Sequence, residues 1–156
     1  LRHVQSPPPF LFLRGRKDLL WHPQIAIVGT RKPSAGGLEA AQHFAAHLAQ
    51  QGYTVTSGLA TGIDAAAHDA ALRTGTTIAA LATGPDMAFP RGNEDLYARI
   101  CRSGTVITEH PPGIPALRCH FPARNRLIAG LAQGTLVIEA AIRSGALITA
   151  RLAGSG

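Results

Sequence analysis

Lysine, aromatic residues, cysteine and long apolar runs are all scarce in this chain, and each shortage removes a class of function. The only cysteines, Cys101 and Cys119, are far apart and form no CxxC. That excludes a zinc finger or a disulfide framework and suits a reducing compartment. No apolar run reaches the length of a membrane span, and the N-terminus lacks a signal-peptide core, so a cytoplasmic protein without membrane contact is expected. Aromatics are 5% of the residues, so any stacking surface is small. The first apolar strand runs into GTRKPSAGG, not GxGxxG, and there is no GxxxxGK[ST], which disfavours ordinary NAD and ATP binding. His43 and His47 lie one helical turn apart but have no third ligand and no HExxH context. Neither a cofactor nor a metal is expected.

Acidic residues are also few: 9 Asp+Glu against 15 Lys+Arg, a formal charge of +6 and a pI near 10.4. Lysine occurs only at Lys17 and Lys32, so the cations are mainly arginine. Arginine suits bidentate phosphate contacts and stacking on bases. Charge alone can serve solubility; placement decides its meaning.

With 156 residues and 46% apolar content, the chain is long enough for one globular domain with a full core. Residues 1–24 read as an irregular lead-in with a Pro7-Pro8-Pro9 run and a short edge strand at Phe10–Leu13. From residue 25 to 156 strands and helices alternate. IAIVG (25–29) has the continuous branched character of a buried parallel strand. Ser34 is a plausible N-cap of a helix whose Leu38, Ala41, Phe44, Ala45 and Leu48 recur at helical spacing, with Gly52 as its end. Further strands are expected at 53–56, 77–82, 105–108 and 136–138, and helices at about 60–73, from Asn93, and opening at Arg124-Asn125-Arg126. Strand, helix, strand at this spacing implies an α/β fold: a doubly wound, mainly parallel sheet with helices on both faces.

In such a sheet ligands sit at the carboxyl ends of the strands. The loops there are GTRKPS, SGLATGID, ATGPDMAFPRGN, TEHPPG and EAAIRSG, and four of them place Gly beside Ser or Thr. Such loops offer backbone N–H groups and hydroxyls to an anion. Arg31, Arg91 and Arg143 reach this edge from three loops, and Arg124 and Arg126 come from the segment before the last strand. Their convergence points to a phosphate-rich ligand. Phe121 could stack on a base. Asp64 and His68, one turn apart, could hydrogen-bond. Glu109 and Glu139 end apolar runs and could face each other across the cleft as a carboxylate pair, or each take an arginine partner.

IAIVGTRKPSAGG, SGLATGIDAAAH, FPRGN, TEHPPG, FPARNRLIAGL and VIEAAIRSGALITARLA, in this order, closely resemble the bacterial DNA-processing protein A (DprA, also called Smf) family over about residues 10 to 153. The resemblance implies an extended Rossmann-like domain that binds and protects single-stranded DNA and helps load the RecA recombinase during natural transformation, without being an enzyme. It implies DNA contacts by Gly29, Thr30, Arg31 and Arg91, a pocket wall of Phe121, Arg124, Asn125 and Arg126, and phosphate contacts by Ser57, Gly58, Ser144 and Gly145. Thr61 stands where the family commonly has arginine in SGLARGID, so one rim cation is lost. The family continues into a further strand that contributes to a homodimer, so the sequence, ending at ARLAGSG, is expected to be C-terminally incomplete relative to that pattern. RNRLIAGLAQGTLVIEA also resembles the nucleoside-monophosphate phosphoribohydrolases, with Gly134-Thr135 and Glu139 in place but Ala132-Gln133 where that family has Gly-Gly. The alternative it implies is an enzyme of that kind or a nucleotide-sensing domain.

Overall fold

The computed structural model describes residues 1, 4–140, 149, 151 and 152. Its elements in chain order are β1 (Phe12–Gly15), β2 (Gln24–Gly29), α1 (Ala35–Gln50), β3 (Thr54–Ser57), α2 (Ile63–Thr74), β4 (Thr77–Ala80), α3 (Glu94–Ser103), β5 (Thr105–Thr108), α4 (His120–Leu131) and β6 (Gly134–Ile138). The described strands make one six-stranded sheet in the order β1-β5-β4-β3-β2-β6. All neighbours are parallel except β1, which pairs antiparallel with β5 from Phe12 opposite Thr108 to Gly15 opposite Thr105. The expected α/β class and parallel core are thus present. The lead-in supplies an edge strand, together with Leu19, fully buried in the core. No helix among the described residues is long and apolar enough to cross a membrane.

Strand alternation sorts the core into two faces. Ile27, Val55, Ala79 and Val106 face α1, α2 and α3, while Ala26, Val28, Ile78, Ala80 and Ile107 face α4 and Leu19. The α1–α2 contact is built from alanines, Ala41, Ala45 and Ala49 against Ala66, Ala67, Ala70 and Ala71. These small side chains let the helices approach closely, and they choose the buried face of α1. Leu38 and Phe44, expected on that face, are exposed instead. Helix α1 starts where expected: Ser34 Oγ accepts from Gly37 N at 3.0 Å, and Gly52 follows the helix at φ +88°.

Other expectations change. Helix α4 begins at His120, so Arg124-Asn125-Arg126 lies in its second turn, not at its start. Pro122 is tolerated in the first turn, where its missing N–H has no partner to lose. Glu109 and Glu139 follow β5 and β6, which β4, β3 and β2 separate, so they do not form a facing pair. His68 does not bond Asp64. Its Nδ1 lies 2.7 Å from Thr77 Oγ1, and that hydroxyl donates to Val55 O at 2.6 Å. The imidazole must therefore donate from Nδ1, which leaves the lone pair on buried Nε2 without a partner among the described residues. Arg143, Ser144 and Gly145 lie outside the described residues.

A proton on His68 would need an acceptor that the core does not offer. Burial first, and then the Arg124 charge, push its pKa down to about 3. The unfolded chain, with an ordinary histidine near 6.5, therefore binds this proton more readily than the fold does. Its contribution to stability is intact above the ordinary value and is lost as pH falls from there towards about 3. Denaturant unfolding in that window should show stability falling with a slope of up to about 1.4 kcal/mol per pH unit from this group. His68→Leu should flatten the slope, and an unchanged slope in that variant would refute the assignment.

Candidate functional site

The loops after β2, β3 and β4 and the first turns of α4 enclose a cavity at the carboxyl edge of the sheet. It is lined by Arg31, Gly58, Ala60, Thr61, Ala82, Phe89, Pro90, Phe121 and Arg124, and its volume is about 120 Å³. That is roughly ten times the space one water molecule needs. None of the described lining residues is acidic.

The floor is a buried cation. Arg124, only 7% exposed, donates from Nη1 to Gly58 O and, at 3.1 Å, to Ala80 O, and from Nε to Asn125 Oδ1 at 3.0 Å. On the other side of Gly58, Asp64 accepts from Gly58 N at 3.1 Å and Ala60 N at 3.4 Å. A Cβ on Gly58 would meet Arg124 Cζ at 2.7 Å and Asp64 Oδ2 at 2.9 Å, so only glycine fits between the two charges. Burial pushes the Asp64 carboxyl up, against the pull of Arg124 and of the two amides. Burial likewise pulls the Arg124 guanidinium down, opposed by Asp64. A guanidinium does not lose its proton in a protein, so Arg124 stays charged.

The rim is aromatic and cationic. Phe121 is half-buried, and its ring centre lies 5.8 Å from that of Phe89. Arg31 Cζ stands 5.7 Å and Arg124 Cζ 5.6 Å from the Phe121 ring centre, within cation–π range. The Arg31 loop is pinned from below. Thr30 N donates to Glu139 O at 3.0 Å, Ile63 N donates to Thr30 O at 3.2 Å, and Gly62, at φ +82°, packs against the Thr30 and Arg31 backbone. Arg31 itself is exposed. Gly29 cannot carry a Cβ, which would collide with Ile138 O and Ile63. Arg91 is exposed just beyond Phe89-Pro90, in a 3-10 turn that leads into α3.

The expected site residues thus divide. Gly29, Thr30, Arg31, Phe121 and Arg124 meet at the cavity or its support. Ser57 and Gly58 take a different part from the phosphate contacts expected of them. Ser57 is fully buried and donates to Ile27 O at 2.6 Å, and both backbone groups of Gly58 are bonded within the protein. Asn125 is buried and orients Arg124. Arg126 is paired with Glu109 at 2.5 Å. Among the described residues Glu139 has no arginine partner. Its carboxylate accepts from Ser34 N at 2.8 Å and from Ser34 Oγ, and the Ser34 hydroxyl and amide hold it below the usual carboxylate range. No group of three or more His, Cys, Asp or Glu among the described residues could hold a metal.

Phe89 and Asp64 belong to the site in addition to the residues expected there. A signal for Phe89 exists: FPRGN (89–93) and FPARN (121–125) are two copies of one spacing, Phe-Pro followed by Asn at the fifth position. Asn93 Nδ2 donates to Leu59 O at 2.9 Å, so both asparagines brace the walls of the same cavity. For Asp64 no local signal distinguishes a buried counter-charge from an exposed first-turn acid.

The family model described as DNA recombination-mediator protein A matches residues 1–155. The chain is 45% identical to Protein Smf of Synechocystis over 158 residues, covering 98% of this chain and 40% of that protein. It is 44% identical to the DNA processing protein DprA of Streptococcus pneumoniae over 150 residues, covering 53% of that protein, and the crystal structure of the latter superposes with a TM-score of 0.93 over 97% of this chain and 54% of that one. DNA processing protein A from Helicobacter pylori, from a structure titled for its unique single-stranded DNA binding mode, is 31% identical with a TM-score of 0.93, over 97% of this chain and 70% of that one. The chain therefore spans about half the length of the curated relatives it matches.

The cavity floor and its exposed rim should respond differently to substitution. Arg124→Met leaves Asp64 buried without its counter-charge and Gly58 O and Ala80 O without a donor, so it should cost about 3 kcal/mol in urea unfolding. Arg31→Ala should stay within about 0.5 kcal/mol of the parent. Equal stabilities for the two variants would show that Arg124 is not structural.

Proposed function

The chain belongs to the DNA recombination-mediator protein A family, and from that membership we propose that its carboxyl-edge cavity binds single-stranded DNA without chemical turnover. The observation that carries this reading is the cavity's construction. An aromatic ring, Phe121, stands among Arg31, Arg124 and Phe89 in a recess with no acidic lining. A phosphodiester backbone supplies anions for exposed Arg31 and Arg91, and an unpaired base supplies a flat face for Phe121. Arg124 acts from below as a fixed positive field and not as a direct ligand. Gly29 and Thr30 set the Arg31 turn; Ser57, Gly58, Asn125 and Arg126 hold the walls. Ser144 and Gly145 complete the phosphate contacts in this proposal.

The family description and the relative titled for single-stranded DNA binding support this reading. On the same footing we propose that the longer protein protects the incoming strand in the cytoplasm during transformation, acts as a homodimer, and presents the strand to the RecA recombinase.

Fluorescence anisotropy across a salt series tests the site. Arg31→Ala and Arg91→Ala should each weaken binding to any single-stranded sequence by a similar factor. Each should flatten the slope of log affinity against log salt by about 0.7 for one lost phosphate contact. Phe121→Ala should cost about 1–3 kcal/mol, the range for one stacked base. Parent-like binding by all three variants, or equal affinity for duplex DNA, would reject the reading. Thr61 is exposed on the cavity wall with room beside it. Thr61→Arg should therefore raise affinity at low salt and steepen the same slope by about 0.7; no change would mean that the strand does not pass this wall.

A further inference from the structure

Two histidines, His110 and His120, stand beside the cavity. His120 opens α4 immediately before Phe121, and its Nδ1 lies 3.0 Å from Ala82 O. A carbonyl can only accept, so His120 donates from Nδ1, and the lone pair of the neutral ring sits on Nε2. Ala82 and Phe121 both line the cavity, so this bond fixes the imidazole beside two of its lining residues. His110, on the loop after β5, stacks on it with ring centres 3.8 Å apart and planes 27° from parallel. The His110 amide donates to Thr108 Oγ1 at 3.1 Å, which holds the loop in register for the stack. Both rings are half-buried and so reachable from solvent.

The surroundings of His110 disfavour a proton on its ring in the free protein. Glu109 favours a proton on His110, but its carboxylate is tied to Arg126. Burial, and then His120, hold His110 below the ordinary histidine value. Arg118 and the Cys119 thiol share the loop, Arg31 and Arg124 flank the adjoining Phe121, and Asp86 of the neighbouring loop is bonded to Gly113 N. Protons on both stacked imidazoles would repel each other, and a phosphate beside the pair would offset that charge.

We propose that the His110–His120 stack is a proton-linked phosphate contact, so that a DNA strand on the cavity rim binds together with a proton on this pair. The proposal rests on the single-stranded-DNA reading of the same site. A bound phosphate favours the charged imidazole, and by linkage the proton favours the bound strand. Affinity then rises as pH falls through the histidine range, at most tenfold per pH unit for each proton taken up.

The test is anisotropy of a labelled oligothymidylate at constant ionic strength from about pH 8 to about pH 5.5, the range in which histidine charge changes. The expected result is a rise of several-fold or more in the parent, reduced to less than about twofold in His110→Phe, which keeps a ring to stack, and in His120→Gln. Arg31→Ala should bind more weakly at every pH and keep the parent's pH slope. Calorimetry at about pH 6.5 in buffers of different ionisation enthalpy counts the protons directly and should find net uptake on binding. A flat parent profile with zero uptake overturns the proposal and leaves the DNA site standing. So does a slope that persists in both histidine variants. Absence of single-strand binding at any pH overturns the proposal and the DNA reading together.

Discussion

A buried positive charge facing a buried negative one across a glycine is the constraint on which the carboxyl edge depends. Taking Arg124 and Asp64 out of water is costly, and the cost is offset by their mutual attraction and by the backbone groups bonded to each. Arg124 reaches the carbonyls of Gly58 and Ala80, at the ends of β3 and β4, while Asp64 takes the amides of Gly58 and Ala60. One helix, two strand ends and the start of α2 are thereby fixed to each other by charge-assisted bonds. The mutual attraction cannot be satisfied with any side chain at position 58. The arrangement also sets the electrostatics of the cavity. The Asp64 charge is offset inside the wall, whereas the Arg124 guanidinium lies under the ring of Phe121 and borders the recess.

The cavity is not where a Rossmann-like sheet most often binds its ligand. The strand order runs outward from β2 in both directions, so the topological switch lies between β2 and β6. There the N-terminus of α1 would normally take a phosphate. Here Glu139 fills that place, with its carboxylate on the Ser34 amide and hydroxyl, and a Cβ at Gly37 would collide with it. The helix already has its anion. Ligand space is displaced one strand along, to the ends of β2, β3 and β4. The same contact weighs against the nucleotide-hydrolase resemblance of RNRLIAGLAQGTLVIEA, because Glu139 serves as an internal cap and three strands, β4, β3 and β2, stand between its strand and that of Glu109.

Much of this was legible in the sequence, because strand and helix periods and the loop glycines are local signals. IAIVG and TVIT are branched runs that suit buried strands, and Ser34 and Gly52 mark both ends of α1. Arg31, Phe121 and Arg124 could be sent to one edge by the βαβ rule alone. What the sequence could not state is which polar groups face inward. Ser57 and Gly58 look the same whether they meet a phosphate or an arginine. Leu38 and Phe44 outweigh alanine on any hydropathy scale, yet the close α1–α2 packing needs the alanines inside. The partner of Glu139 depends on β6 landing beside β2, a long-range pairing that local pattern does not specify.

The recess itself argues for the kind of strand it can accept. Its floor is a side chain only 7% exposed, and its aromatic wall is half-buried, so a ligand must insert a flat group to touch either. A base in a duplex is stacked and paired, and turning it out costs a few kcal/mol before any contact forms. A single strand has its bases free, and its flexible backbone can place successive phosphates at Arg31 and at Arg91 on separate loops. Phe121 offers a face and not a pattern of donors and acceptors, and stacking alone discriminates little among the bases. At the floor both backbone groups of Gly58 and the Nη1 of Arg124 are already bonded within the protein, which leaves little there to read a base edge. On the proposed reading, discrimination between single and double strands then comes from recess depth, while tolerance of sequence comes from the polar groups already bonded below it.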